Sequence, residues 1–230
     1  GEGGETGALN IRKHLQTEKE TAAYVRENLD LIGSEHSFPH YPQGWAQVSN
    51  TPLKWYKKNT HGGGIRAPLI LSWPQGIEAS GEIRHQYHHV IDVLPTVMDL
   101  AGVKAPDVYR GVRQEPIHGV SMRYSFNQPE AESRRRIQYF EIVGDRALYE
   151  DGWKIVARHR KGDDFDADRW ELYDMRADFA EIRDLSSQDP DRVQRMVALW
   201  WQEGEKYGVL PLDDREAERA LDWFRMTAPS

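Results

Sequence analysis

Three consecutive glycines, Gly62-Gly63-Gly64, stand between a lysine-rich segment, Lys54-Trp55-Tyr56-Lys57-Lys58, and an apolar run, Leu69-Ile70-Leu71-Ser72-Trp73. No other feature limits the fold as much. Glycine has no Cβ and tolerates positive φ and close backbone approach, so the segment predicts a tight loop feeding a strand. A continuous apolar run of this kind is the pattern of a strand covered on both faces, inside a mixed or parallel sheet. Lys57 precedes His61 by four residues, and a helical turn between them would place both on one face. Two cationic groups beside a glycine-cushioned pocket suit an anionic ligand. The same residues would also serve as a surface turn with solvated lysines.

The rest of the chain sorts into two parts. Residues 1–15 read as a glycine-rich loop, 17–32 as a helix closed by Gly33, and 34–50 as an ordered loop rich in Pro, Gly and aromatics. Asp92 is placed to cap a helix ending near Ala101, with Pro95 in its first turn and Gly102 beyond its end. Residues 104–128 look irregular, and a boundary is expected at 127–129. Beyond it, residues 137–143, 147–150, 153–158 and 170–174 read as short strands. Asp151-Gly152 between two of them is a two-residue hairpin signal, because both turn positions need positive φ. A long helix is expected from Pro190, capped by Asp189, with Val193, Met196, Val197, Trp200, Gly204 and Tyr207 on one face. The expectation is an α/β chain: a mixed-sheet part over 1–128, then a small antiparallel sheet with one long helix over 129–230.

Other constellations point to less chemistry. His85, His88 and His89 could supply two zinc ligands on one turn, but no third ligand of matching spacing accompanies them. Asp164, Asp166 and Asp168 imitate the start of a calcium loop, yet Arg169 stands where glycine is needed and Met175 where glutamate is needed. Ser121 lacks the closing glycine of a nucleophile elbow. The net charge of −7 argues against nucleic acid or a membrane surface as partner. No apolar stretch is long enough for a membrane span. With no cysteine there are no disulfides, which leaves the compartment, cytoplasmic or periplasmic, open.

The glycine loop resembles the active-site lysine loop of the type I sulfatases, the arylsulfatase family of the alkaline phosphatase superfamily. The likeness extends in order along the chain, through Tyr41-Pro42-Gln43-Gly44-Trp45-Ala46, His89-Val90-Ile91-Asp92-Val93-Leu94-Pro95-Thr96, Gly119-Val120-Ser121-Met122, Asp151-Gly152-Trp153-Lys154 and Trp170-Glu171-Leu172-Tyr173-Asp174. The resemblance implies a sulfuric ester hydrolase acting on a small-molecule sulfate ester. In it, Lys57 would be catalytic, meeting the sulfate and the leaving oxygen, and His61 would line the substrate pocket. Gly62 departs from the pattern, standing where the family usually carries a carboxylate.

The family's formylglycine precursor, a Cys or Ser in a C/S-x-P-x-R motif, is missing from this sequence. The chain therefore resembles the C-terminal portion of a sulfatase. Its nucleophile and calcium ligands are expected from an N-terminal part of the catalytic domain, which would be its partner, and the chain alone is expected to be inactive. Two alternatives stay open at this point: a phosphate or phosphonate ester hydrolase of the same superfamily, and a non-catalytic, anion-binding module.

Overall fold

The structure, a computed structural model, describes residues 8–9, 20–78 and 81–215. The loop expected over 1–15 lies, apart from Ala8 and Leu9, outside the described residues. Two compact units emerge, one formed by Gly1–Ala67 with Tyr139–Ser230 and the other by Pro68–Gln138.

The first unit is organised on a four-stranded sheet in the order β3-β4-β5-β6: β3 (Ile137–Ile142), β4 (Asp145–Glu150), β5 (Trp153–Ala157) and β6 (Trp170–Asp174). The β4–β5 and β5–β6 pairs are antiparallel, with Leu148 opposite Ile155 and Ile155 opposite Leu172. Asp151 (φ 43°) and Gly152 (φ 86°) make the tight turn between β4 and β5 that the sequence predicts. Side chains alternate across a strand, so each strand serves two faces.

One face carries Arg146, Leu148, Ile155 and Leu172 and receives α5 (Pro190–Lys206), whose Met196, Trp200 and Gly204 are buried. Asp189 caps α5 by accepting from the Arg192 N–H, as expected. Trp200 donates from Nε1 to the Phe140 carbonyl at 3.1 Å, so its indole is both core and anchor. The other face carries Ala147, Val156 and Tyr173, packed with Phe140 and Met175. The glycine loop is bound to this second face.

Two short helices complete the unit. The first, α1 (Ala22–Glu27), is capped by Thr21 and followed by a 3-10 turn at Leu29–Leu31, so the part of the helix expected over 17–32 that lies within the described residues 20–32 is shorter than its pattern. Asn28 interrupts it by donating its amide to the Tyr24 carbonyl. The second, α2 (Gln43–Asn50), corrects the loop expected over 34–50. Its proline and glycine disguise a helix held by tertiary bonds, from Tyr56 Oη to Gln43 Oε1 and from Gln47 Nε2 to the Leu53 carbonyl.

The second unit packs around α4 (Val93–Ala101), entered through a 3-10 turn at Val90–Asp92 and closed by Gly102 at φ 64°. Asp92 does not cap α4 with its side chain. Its carboxylate is fully buried and accepts from the His89 and Val120 N–H groups and from the Arg135 guanidinium. Burial opposes ionisation of Asp92, but these donors outweigh it and hold the carboxyl below its usual range. The expected irregular stretch contains a small hairpin, β1 (Val108–Tyr109) with β2 (Val112–Arg113), and a 3-10 turn at Met122–Ser125.

The interior strand expected at 69–73 is not formed. These residues have no ladder partner among the described residues, and Ile70 is 90% exposed. Apolar sequence supplies strand propensity, but a strand also needs a neighbour for its backbone groups.

Candidate functional site

The loop 51–66 is drawn into a compact knot by its own backbone. Asn50 donates its amide to the Trp55 and Gly63 carbonyls, both at 3.0 Å, and the Gly63 N–H donates to the Lys54 carbonyl at 2.8 Å. A Cβ on Gly63 would lie 1.8 Å from the Trp55 carbonyl oxygen, and one on Gly64 would lie 1.9 Å from that of Asn59. Only glycine fits at these crossings. The three glycines form the start of α3 (Gly62–Ile65). Trp55 (φ 64°) and Lys58 (φ 72°) both adopt the left-handed conformation. Such strain persists where the surroundings over-determine the backbone, and it concentrates at functional sites.

Below the knot lies a buried polar network contributed by the sheet. His61 is fully buried, and its Nε2–H donates to Glu171 Oε2 at 2.7 Å. Tyr173 Oη donates to the same oxygen at 2.6 Å, and Lys54 Nζ donates to Tyr173 Oη at 2.9 Å. The His61 hydrogen bond is the largest cause, followed by burial that opposes it and then the Tyr173 bond; together they pull the Glu171 carboxyl down to about 2. Burial and the adjacent Glu171 carboxylate push the Tyr173 phenol up. The His61 Nδ1 atom has no partner among the described residues.

A second buried carboxylate supports the glycines directly. Glu181 accepts from the Gly62 N–H at 2.6 Å with Oε2 and pairs with Lys154 Nζ through Oε1. Glu181 is fully buried and takes φ 59°, another left-handed non-glycine residue. Burial depresses the Lys154 ammonium's proton affinity, and Glu181 opposes that effect. A Cβ on Gly62 would come within 3.3 Å of Glu181 Oε2. A larger side chain at 62 would crowd this carboxylate. Glu181 thus brings a carboxylate to the backbone at Gly62 from elsewhere in the sequence.

The two site residues expected from sequence are separated by this arrangement. Lys57 is exposed at the turn of the loop and forms no ion pair among the described residues, whereas His61 faces inward. The helical turn that would align them is absent, because α3 begins only at Gly62. Arg158 joins the exposed cations of the loop by lying over the Trp55 ring at 4.4 Å. Sequence reasoning gave Lys54, Lys154, Glu171 and Glu181 no role in the site. Glu171 and Tyr173 sit two residues apart on β6, a period-2 pairing that puts both on one face. Glu181 carries no such local signal.

Two of the remaining sequence candidates have structural roles. Ser121 donates its hydroxyl to Asp99, and Asp164 caps a 3-10 turn. Among the described residues no group of three or more His, Cys, Asp or Glu could hold a metal ion. No described helix is long and apolar enough to cross a membrane.

Residues 53–202, which contain the whole network, match the family described as N-sulphoglucosamine sulphohydrolase, C-terminal. Over 223 residues the chain is 27% identical to an uncharacterised sulfatase of Schizosaccharomyces pombe, covering 92% of this chain and 38% of that protein. It is 36% identical over 89 residues to an arylsulfatase of Klebsiella aerogenes, covering 38% of this chain and 18% of that protein. In fold it is similar to Ps i-CgsB, solved in complex with k-i-k-neocarrahexaose, with a TM-score of 0.53 at 23% identity over 78% of this chain and 38% of that one. The chain spans well under half the length of each of these proteins.

Proposed function

This chain belongs to the sulfatase family, matching its C-terminal portion, and from that premise we propose that it serves the hydrolysis of small-molecule sulfate esters, with Lys57 as a catalytic cation. The observation that carries this reading is an exposed lysine without an ion-pair partner, among the described residues, on a loop braced by Asn50 and Glu181. When an ester O–S bond breaks, the leaving oxygen gathers negative charge. An ammonium already in place meets that charge without reorganisation, which is how fixed electrostatics lowers a barrier. In this reading His61 supports the loop through Glu171 and borders the site from below.

The nucleophile and the calcium ion that the resemblance implies belong to this proposal as groups supplied from outside this chain. Among the described residues no group of three or more His, Cys, Asp or Glu could hold that ion. The sequence holds no C/S-x-P-x-R motif from which formylglycine could form, so the chain by itself should release no phenol from an aryl sulfate. Enzyme-dependent phenol release by the purified chain would refute that part.

The test of Lys57 uses the full product of the parent reading frame. Lys57→Ala should lower kcat on an aryl sulfate by about a hundredfold, equivalent to roughly 3 kcal/mol of transition-state stabilisation. Lys58→Ala should cost far less. The loss at Lys57 should be larger for an ester of a poor leaving group than for nitrophenyl sulfate. Equal losses for the two lysines would refute the assignment. Faster turnover of the matching phosphate ester would assign the site to phosphoryl chemistry instead.

A further inference from the structure

The second unit contains a cavity of about 580 Å³, lined among others by Trp73, Tyr124, Arg123, Arg134, Gln75 and Gln128. We infer that this cavity is a binding site for an anionic saccharide unit, a sugar ring bearing sulfate or carboxylate. The inference does not depend on sulfate-ester hydrolysis at the Lys57 loop.

The walls are built and braced. Gly76 lies so close to Trp73 that a Cβ there would sit 2.0 Å from the indole ring. Asn127 clasps the turn beside it, donating to the Gly76 carbonyl at 3.1 Å and accepting from the Glu78 N–H at 3.0 Å. Phe126 meets the Trp73 ring edge-on, with centroids 6.4 Å apart. The Arg84 guanidinium donates to the Ser125 and Phe126 carbonyls at 2.8 and 2.7 Å, fixing the chain that carries them. A pocket braced in this way loses little entropy when a ligand enters.

The chemistry displayed is selective. Arg123 is occupied by Asp99 at 3.2 Å, and Asp99 also accepts from Ser121. Arg134 forms no ion pair among the described residues; its guanidinium lies over the Tyr124 ring at 4.5 Å, and its backbone N–H donates to Tyr124 Oη. Stacking holds that guanidinium flat and leaves its N–H edges for a planar or tetrahedral oxyanion. The two arginines and one aspartate leave one net positive charge, matched to a singly charged ligand. Gln75 and Gln128 expose side-chain amides that can both donate to and accept from hydroxyls. Aromatic walls, hydroxyl-pairing amides and one available cation describe a charged sugar better than a bare ion or a hydrophobe.

The test is titration of the full chain with glucose 6-sulfate, glucuronate, glucose and inorganic sulfate, following the Trp73 indole N–H by NMR. Glucose 6-sulfate or glucuronate should bind with Kd of about 1–10 mM, the range of a single charged sugar in an open cavity. Whichever binds more tightly identifies the anion. Glucose and inorganic sulfate should each bind at least about tenfold more weakly, since each lacks half of the recognised chemistry. Arg134→Gln, an exposed and tolerant site, should lose about tenfold for the charged sugar, and Lys57→Gln should lose nothing. Equal binding of inorganic sulfate would reduce the cavity to an ion site and overturn the inference. So would equal binding of glucose, an unaffected Arg134→Gln variant, loss on Lys57→Gln, or no saturable shift with either charged sugar.

Discussion

Replacing Glu181 by Gln is the sharpest probe of what holds the lysine loop. The side chain is fully buried and joins two partners, the Lys154 ammonium and the Gly62 N–H. Glutamine keeps the shape and can still accept from Gly62, so the change removes charge alone. Two unit charges about 3 Å apart attract by roughly 5 kcal/mol at an effective dielectric of about 20. Losing one partner leaves Lys154 buried without compensation, and such losses cost about 3–5 kcal/mol. That is a large part of a stability that for most domains is about 5–15 kcal/mol. Urea unfolding followed by tryptophan fluorescence should register the loss as a lower midpoint with little change in slope. Hydrogen exchange at the Gly62 amide should accelerate more than at the buried amides of β5. The double variant Glu181→Gln/Lys154→Met should recover most of the loss, because removing both charges also removes the desolvation penalty. A single-variant loss below about 1 kcal/mol, or a double variant as poor as the sum, would show that the pair does not anchor the loop.

Two further outcomes test the same frame. Gly63→Ala places a Cβ 1.8 Å from the Trp55 carbonyl, so it should cost about 3 kcal/mol or more and alter the near-UV circular dichroism of Trp55 and Tyr56, whereas Gly33→Ala, at φ 85° with open space around it, should cost only about 1 kcal/mol; equal costs would remove the close-approach argument. Glu171 has a folded-state carboxyl pulled from 4.5 to about 2, so the unfolded chain takes up its proton first as pH falls. Its contribution, about 3 kcal/mol, should be fully present above about pH 5 and disappear towards pH 2, and Glu171→Gln should lack that part of the pH dependence of the urea midpoint; parallel pH profiles for parent and variant would refute it.

What the sequence revealed follows the range of the forces involved. The Asp151-Gly152 turn and α5 from Pro190 start from interactions within a few residues, and both form as read. Gly102 ends α4 for the same local reason. Failures came where distant partners decide. The helix Gln43–Asn50 depends on bonds from Tyr56 and to Leu53 that its own composition does not announce. The run at 69–73 has strand composition but no pairing neighbour among the described residues. Lys57 and His61 share a four-residue spacing that implies a common face only inside a helix, and the chain between them bends instead.

The glycine loop carries this point furthest. Its sequence specifies that the backbone can knot, because Gly63 and Gly64 permit crossings that no Cβ would survive. It does not specify that the knot forms, since permissive glycines enlarge the unfolded ensemble as much as they enable the fold. The decision comes from Glu171, Tyr173 and Glu181, between 110 and 119 residues further along the chain. Bringing such distant residues together costs loop-closure entropy, which only a formed sheet can offset. The order of dependence therefore runs from the β5–β6 pairing to the buried carboxylates, and from those to the loop. Lys57 is held in place last, by residues it never touches. A substitution on the sheet face that bears Tyr173 should displace Lys57 as surely as one beside it.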